Sequence, residues 1–355
     1  MPGSVTITQM DTETPKNPET RPSNTRTRRE RVVYAIETSR LAVGVVLGWM
    51  RQDARRAAFA STALASILTV AVAGVVEASV SKPTVSRYIS WMTGNTEQDA
   101  QTAHELACAT ADGGGVVLLA FGRQVVGGTR SFDGPDILYK YDHIAAVATG
   151  YASGLEECTD GSWNLAIATS NYRLDDPTIA YTYGADWQRM VAGVAAGKFE
   201  QVSISGGIDL EPGWGGRATA EQWLQGWRTG ETPLVANASA DGCPVQDGTL
   251  ACANGWNIKS LARMVWGREQ DSVLPQIYRK DGIQAAQWGV ISRRFALDGG
   301  QVKFAGVMTQ VRACELVRNK NCPQLSLDPE SARTQMQLEL GSLAAVEHVT
   351  DVGWG

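Results

Sequence analysis

From Gly113 onward the chain alternates short β-rich apolar runs with amphipathic segments, and this alternation limits the possible folds more than any other feature. The strand-like runs are "GVVLLAFGRQ" (115–124), "HIAAVATGY" (143–151), "WNLAIATSNY" (163–172), "EQVSISGGIDLE" (200–211), "TPLVANASA" (232–240), "VLPQIY" (273–278) and "QVKFAGVMTQ" (301–310). Several are nearly continuous in apolar residues, as expected for parallel strands buried on both faces. Between them lie helical patterns: "GADWQRMVAGVAAGK" with Trp187, Met190, Val191 and Val194 on one stripe, "TAEQWLQGWRTG" opening on a Thr cap, "NIKSLARMVWG", "IQAAQWGVISRRF", and "DPESARTQMQLELGS" with Asp and Pro at its start. About seven alternations over ~240 residues predict an α/β fold, a (β/α)8-like TIM barrel with one degenerate strand. A doubly wound nucleotide fold would place a Gly-rich loop after an early strand; the glycines of "ADGGGVV" precede theirs.

The first 112 residues read differently. Residues 1–56 form a basic region, with ten Lys/Arg and six Asp/Glu, whose opening 31 residues are rich in Pro, Thr, Asn and charge and read as disordered. The remainder holds 22 basic and 31 acidic residues, and an acidic body argues against a nucleic-acid partner. Ala57 to Val76 is twenty residues without a charge, behind Arg51, Arg55 and Arg56. That length spans a bilayer, and the arginines would keep the N-terminus in the cytoplasm. Read from Met50, the same stretch has the layout of a signal peptide, with Ala71-Val72-Ala73 as its small-residue site. Anchor and cleaved signal both export the rest. Residues 77–112 are then a linker and helical lead-in, and 113–355 the barrel domain.

All six cysteines follow the apolar run, as disulfides in an exported domain would. Cys243/Cys252 and Cys314/Cys322 each bracket a short loop, which leaves Cys108 with Cys158, one of fifteen possible connectivities. With no C-x-x-C and three scattered histidines, neither a metal site nor any other cofactor is expected.

Polar residues stand where several apolar runs stop: Gln124, Asn171 with Tyr172, Asp209 with Glu211, Asn237 with Ser239, and Gln276 with Tyr278. In a βα barrel the C-terminal strand ends share one mouth, so these residues are expected to build a substrate site, with Trp214, Trp163 and Tyr172 as stacking surfaces. In "GGIDLEPGW" the carboxylates are two residues apart and project from one face of the strand. Their mutual repulsion raises one pKa, which is how a carboxylic acid keeps a proton to donate near neutral pH. With Asp209 ionised, Glu211 is expected to be the proton holder.

The "IDLEP" strand end, with "LAFGRQ", "LAIATSNY", "LVANASADGCP" and "FAGVMTQ", resembles glycoside-hydrolase-like TIM barrels: the family 25 lysozymes and a related domain of exported actinobacterial proteins. The resemblance spans roughly residues 113–341. It implies an Asp-x-Glu on the fourth strand, with Glu211 as proton donor, Asp209 as its flanking carboxylate, and a cell-envelope glycan as substrate. The first strand, ending Phe121-Gly122-Arg123-Gln124, departs from the Asp-bearing first strand of those lysozymes. No second strand supplies a carboxylate across the mouth, and Asp133, Asp136 and Asp142 fall in loop or helix candidates. Glycosidases hold their carboxyl pair ~5–5.5 Å apart for retention and ~6.5–9.5 Å for inversion. Alternate residues of one strand place theirs about 6–7 Å apart, so a single pair could serve, with the substrate's N-acetyl group assisting. The alternative is a catalytically silent barrel that binds envelope glycan or a partner protein. Other catalytic classes lack their motifs: there is no G-x-S-x-G, no Walker loop, and His143, at the start of a predicted strand, would lie at the opposite end of the barrel.

Overall fold

The computed structural model describes residues 82–110, 113–131, 137–316 and 322–354. The expectations for residues 1–56 and 57–76, and for Asp133 and Asp136, lie outside the described residues. Within them no helix is long and apolar enough to cross a membrane.

Eight parallel strands alternate with helices in chain order: β1 (Thr84–Tyr88), α1 (Thr96–Thr110), β2 (Gly115–Val125), a hairpin of β3 (Gly128–Arg130) and β4 (Tyr139–Lys140), α2 (Tyr141–Cys158), β5 (Trp163–Ser170), α3 (Pro177–Ala195), β6 (Val202–Leu210), α4 (Arg217–Trp227), β7 (Leu234–Ala238), α5 (Ile258–Val265), β8 (Ser272–Pro275), α6 (Ile283–Leu297), β9 (Val307–Thr309), the short α7 (Val311–Leu316) and α8 (Cys322–Leu325), α9 (Pro329–Leu340), and β10 (Val349–Trp354). The sheet order is β8-β7-β6-β5-β2-β1-β10-β9. Its two ends meet through parallel bridges Val273–Phe304 and Gln276–Met308, which close the ring. Sequential neighbours, parallel pairing and closure together make this a TIM barrel.

Two strands occupy segments without a strand-like apolar run. β1 lies inside residues 77–112, expected to be linker and helix, so the barrel begins at Thr84. β10 closes against it with Thr84 beside Thr350 and Tyr88 beside Trp354. Conversely, residues 143–151 are not a strand but part of α2. Ile144, Val147, Ala148, Tyr151 and Leu155 recur at helical spacing, and that stripe is what packs. His143 therefore starts a helix, where its Nε2 lies 2.9 Å from Asp99, rather than a strand.

The helices carry their own stop and start signals. Asp176 caps α3, accepting from Thr178 N at 2.8 Å ahead of Pro177. Asn257 and Ser260 form a reciprocal capping box on α5. α4 departs from expectation: it begins at Arg217 after Gly216, and Thr219 is a buried residue inside it rather than its cap.

Two apolar layers result. Between sheet and helices lies the larger one, including Trp187, Trp223, Trp227 and Trp288. Inside the barrel, Val116, Leu118, Ala120, Ala166, Ala168, Val235, Leu274, Met308 and Val352 fill the middle. The Gly206-Gly207 pair serves both layers. A Cβ on Gly206 would stand 2.0 Å from the Trp227 ring, and one on Gly207 would stand 2.6 Å from the Ala168 methyl inside the barrel. Small residues there let β6 sit close to its neighbours, with its next inward positions left for carboxylates.

All three expected disulfides are present: Cys108–Cys158, Cys243–Cys252 and Cys314–Cys322, with Cα separations of 5.1, 4.0 and 5.4 Å. Three such bridges indicate an oxidising, extracytoplasmic environment.

Candidate active site

β6 is the fourth strand of the barrel, and its two-residue period sends Ser205, Gly207 and Asp209 inward. Asp209 is fully buried. Its Oδ1 accepts from Gln276 Nε2 at 2.7 Å and from Asn237 Nδ2 at 3.3 Å, so three neighbouring strands meet at one carboxyl oxygen. The other oxygen, Oδ2, is buried without a partner, as is Asn237 Oδ1. Buried polar atoms are normally satisfied, so two unpartnered oxygens on adjoining side chains leave hydrogen-bonding capacity at this point.

Two neutral amides are poor compensation for a buried negative charge. Burial accordingly pushes the Asp209 carboxyl well above the usual carboxylate range, the Glu211 charge adds to this, and the Gln276 amide opposes it. Burial also raises Glu211, to about 7; the Gln276 amide opposes this, and the Asp241 charge adds to it. Both carboxyls are thus pushed toward their protonated forms, Asp209 from the deeper position. The cause is depth: Asp209 is inside the barrel, whereas Glu211 follows the last residue of β6 and is only partly buried.

Glu211 is held by its backbone. The Asn171 side chain accepts from Glu211 N at 3.1 Å and donates to Glu211 O at 2.9 Å. Asn171, expected to touch substrate, is instead buried and spends its amide on this clamp. Beyond Glu211, Asn254 donates to Pro212 O at 2.8 Å and Trp256 to Gly215 O at 2.9 Å, tying the β6–α4 loop to the one after β7.

Gln124 does not reach the mouth. The β2–β5 register shifts between Ala120 and Arg123, which turns Gln124 toward the helices. There it accepts from Trp223 Nε1 at 2.8 Å and donates to Tyr141 Oη and Tyr183 O. Trp163 is likewise no stacking surface: it is buried at the opposite end of its strand, donating to Thr159 Oγ1. Tyr172 and Trp214 do come together, ring edge to face at 5.5 Å, on half-buried loop positions. Asp142 lies in the first turn of α2, where its carboxylate accepts from His143 N.

Sequence reasoning missed three residues. Tyr88 and Trp354, at the ends of β1 and β10, pack with ring centroids 4.9 Å apart. Burial and then the nearby Asp209 raise the Tyr88 phenol well above its ordinary value, which places this ring beside the carboxylates. Asp241, after β7, is the third: its charge reaches Glu211 from another strand. The quoted segment "LVANASADGCP" contained it. The two aromatics were hidden because their strands were.

Among the described residues no group of three or more His, Cys, Asp or Glu is placed to hold a metal ion. The side chains gathered at this strand end offer two carboxyl groups with raised proton affinity, amides, and phenol and indole rings.

No family model matches this sequence, and no curated protein matches it significantly. Among solved structures, the complex of a GH113 β-1,4-mannanase is similar over 77% of this chain and 87% of that one, at 10% identity and a TM-score of 0.38. The barrel assignment rests on strand order and closure.

Proposed function

We propose that this protein is an exported glycoside hydrolase acting on cell-envelope glycan of the peptidoglycan type by acid-assisted glycosidic hydrolysis. The observation that carries the reading is the Asp209–Glu211 pair at the end of the fourth strand, with Glu211 titrating at about 7 and Asp209 presenting an unpartnered oxygen. Protonated Glu211 gives its proton to the departing glycosidic oxygen as the C–O bond breaks. Water adds at the anomeric carbon, and its proton passes to Asp241, the carboxylate contributed by the neighbouring strand. Asp209, buried beneath the strand end and bonded to Gln276 and Asn237, orders the polar floor of the site, and the Tyr88–Trp354 and Tyr172–Trp214 pairs supply ring faces. Export follows from residues 57–76, as a membrane anchor with the N-terminus in the cytoplasm or as a signal cleaved near Ala73. The disulfides support that location.

The second reading is a glycan-binding barrel without turnover, favoured by one feature: Asp209 and Glu211 share a strand rather than facing each other across the mouth. Release of reducing ends from purified peptidoglycan by the full chain separates the two. Glu211→Gln keeps size and hydrogen bonding but has no proton to give, so turnover should fall about 10²–10⁴-fold while glycan binding persists. Because the acid form is the active one, wild-type activity should decline as pH rises through about 7. A Glu211→Gln protein with full turnover removes Glu211 from the mechanism, and binding without turnover in the wild type selects the second reading.

A further inference from the structure

The outer face of the barrel carries a feature the mouth does not use. A cavity of about 380 Å³ lies between α4 and α5, lined by Arg217, Glu221, Arg228, Lys259 and Arg263. A second, of about 220 Å³, lies on the other side of α5 and shares Lys259 and Arg263 with the first, adding Arg294 and Asp298. Lys259 and Arg263 are four residues apart on one helix and so stand on one face, forming a ridge between the two hollows.

Five cations gather here on a domain whose overall balance is acidic. Their local counter-charges are incomplete. Glu221 pairs with Arg217 at 3.2 Å, and Asp298 is shared by Lys259 at 3.1 Å and Arg294 at 3.4 Å. Arg228 donates to Arg263 O at 3.0 Å, and its one carboxylate, Asp271 at 3.6 Å, is already bonded by Arg268. Arg263 is exposed, and none of the ion pairs found among the described residues includes it. Two guanidinium donors in the same neighbourhood, Arg228 Nε and Arg294 Nε, are buried with no acceptor. Burial holds Arg228 below its ordinary pKa, the direction a nearby anion would reverse.

We propose that this groove binds phosphate groups. Guanidinium forks match tetrahedral oxyanions, and here they converge with an ammonium from two helices around a hollow wide enough for such a group. The spacing suits more than one phosphate. α4 runs eleven residues from Arg217 to Trp227, so the cations at its two ends are separated by about 16 Å. Arg217 also follows directly on the β6–α4 loop, so the groove starts at the rim of the mouth and leads away from it. A phosphate-bearing chain held there would be anchored outside the mouth. The proposal stands on its own charge geometry and does not require turnover at the mouth.

The test uses the full chain with inorganic phosphate and tripolyphosphate as probes, followed by calorimetry at low salt. Saturable binding is expected, and Arg263→Glu should weaken it at least about 10-fold, the value of one charge-assisted hydrogen bond. Lys259→Gln should weaken it less, and Lys198→Gln, an exposed lysine elsewhere, should leave it unchanged. Thermal stability and any glycan turnover should be the same in all four proteins. Tighter binding of tripolyphosphate than of phosphate assigns the groove to a phosphate-bearing chain; equal binding assigns it to a single phosphate. Absence of saturable binding up to about 10 mM, or equal binding by wild type and Arg263→Glu, overturns the proposal.

Discussion

Asp209 and Asp271 are both buried aspartates near the ends of this barrel's strands, and they are treated in opposite ways. Asp271 precedes β8, at the end where strands begin. It accepts from Leu234 N at 3.1 Å and from Arg268 Nε and Nη2 at 3.1–3.3 Å, with Arg228 at 3.6 Å. Arg268 in turn donates to Gly230 O and Thr232 O. That is a closed network, in which a full negative charge is met by cations and the cations by carbonyls. Asp209, at the end where strands finish, is met by two neutral amides and keeps an empty oxygen. Burial alone does not distinguish a site from a staple. The partners do: Asp271 is met by cations, Asp209 by neutral amides alone.

The comparison predicts unequal responses to the same substitution. Asp271→Ala leaves Arg268 without its partner at a half-buried position and should cost about 3–5 kcal/mol of unfolding free energy by urea titration. Asp209→Asn removes an unfavourable buried carboxyl while retaining its shape, and should change stability by less than about 1 kcal/mol in either direction. Equal losses would mean that Asp209 is a staple too.

A smaller effect concerns pH. Burial raises both mouth carboxyls above their unfolded values, so the folded state binds more protons than the unfolded one. Stability from this pair is therefore fully retained below about pH 4 and is lost as pH rises, for Glu211 through about 7 and for Asp209 in the same direction. The wild type should unfold at lower urea at pH 7.5 than at pH 5. The double variant Asp209→Asn/Glu211→Gln should show a flatter profile over that range. A wild-type profile that rises toward pH 7.5 in step with the double variant would contradict the assigned shifts.

The smallest expected change separates the clamp from the carboxyl it holds. Asn171→Ala frees both backbone groups of Glu211 and lets the acid drift, which should lower turnover about 10- to 100-fold without changing the pH at which activity declines. Asn171→Asp restores the acceptor for Glu211 N but not the donor to Glu211 O, and should recover only part of the loss. A shifted pH limb in Asn171→Ala would show that the residue acts on the proton affinity of Glu211 rather than on its position.

Much of the barrel was legible because parallel strands covered on both sides are apolar almost throughout, as in "VVLLAF" and "NLAIAT". The exceptions have physical reasons. β1 and β10, "TVSRY" and "VTDVGW", turn Ser86, Thr350 and Thr84 into a polar interior layer where Ser86 and Thr350 hydroxyls meet at 2.7 Å, so they lack the apolar signature. The run 143–151 fits both periods, since alanine and valine serve either, and only contact with neighbouring helices selects one.

The candidate site divides the same way. That Asp209 and Glu211 stand together at one strand end, and that six cysteines close three local or complementary loops, was determined by the sequence, because a two-residue period and short loop closure are local properties of the chain. That Gln124 turns away, that Asn171 serves a backbone, that Tyr88, Trp354 and Asp241 complete the opening, and that Asp209 rather than Glu211 is the deeper acid were decided by tertiary structure. Each depends on how strands far apart in the chain are registered around the ring, and a carboxyl's affinity for its proton depends on which of those distant neighbours leave it dry and unpaired.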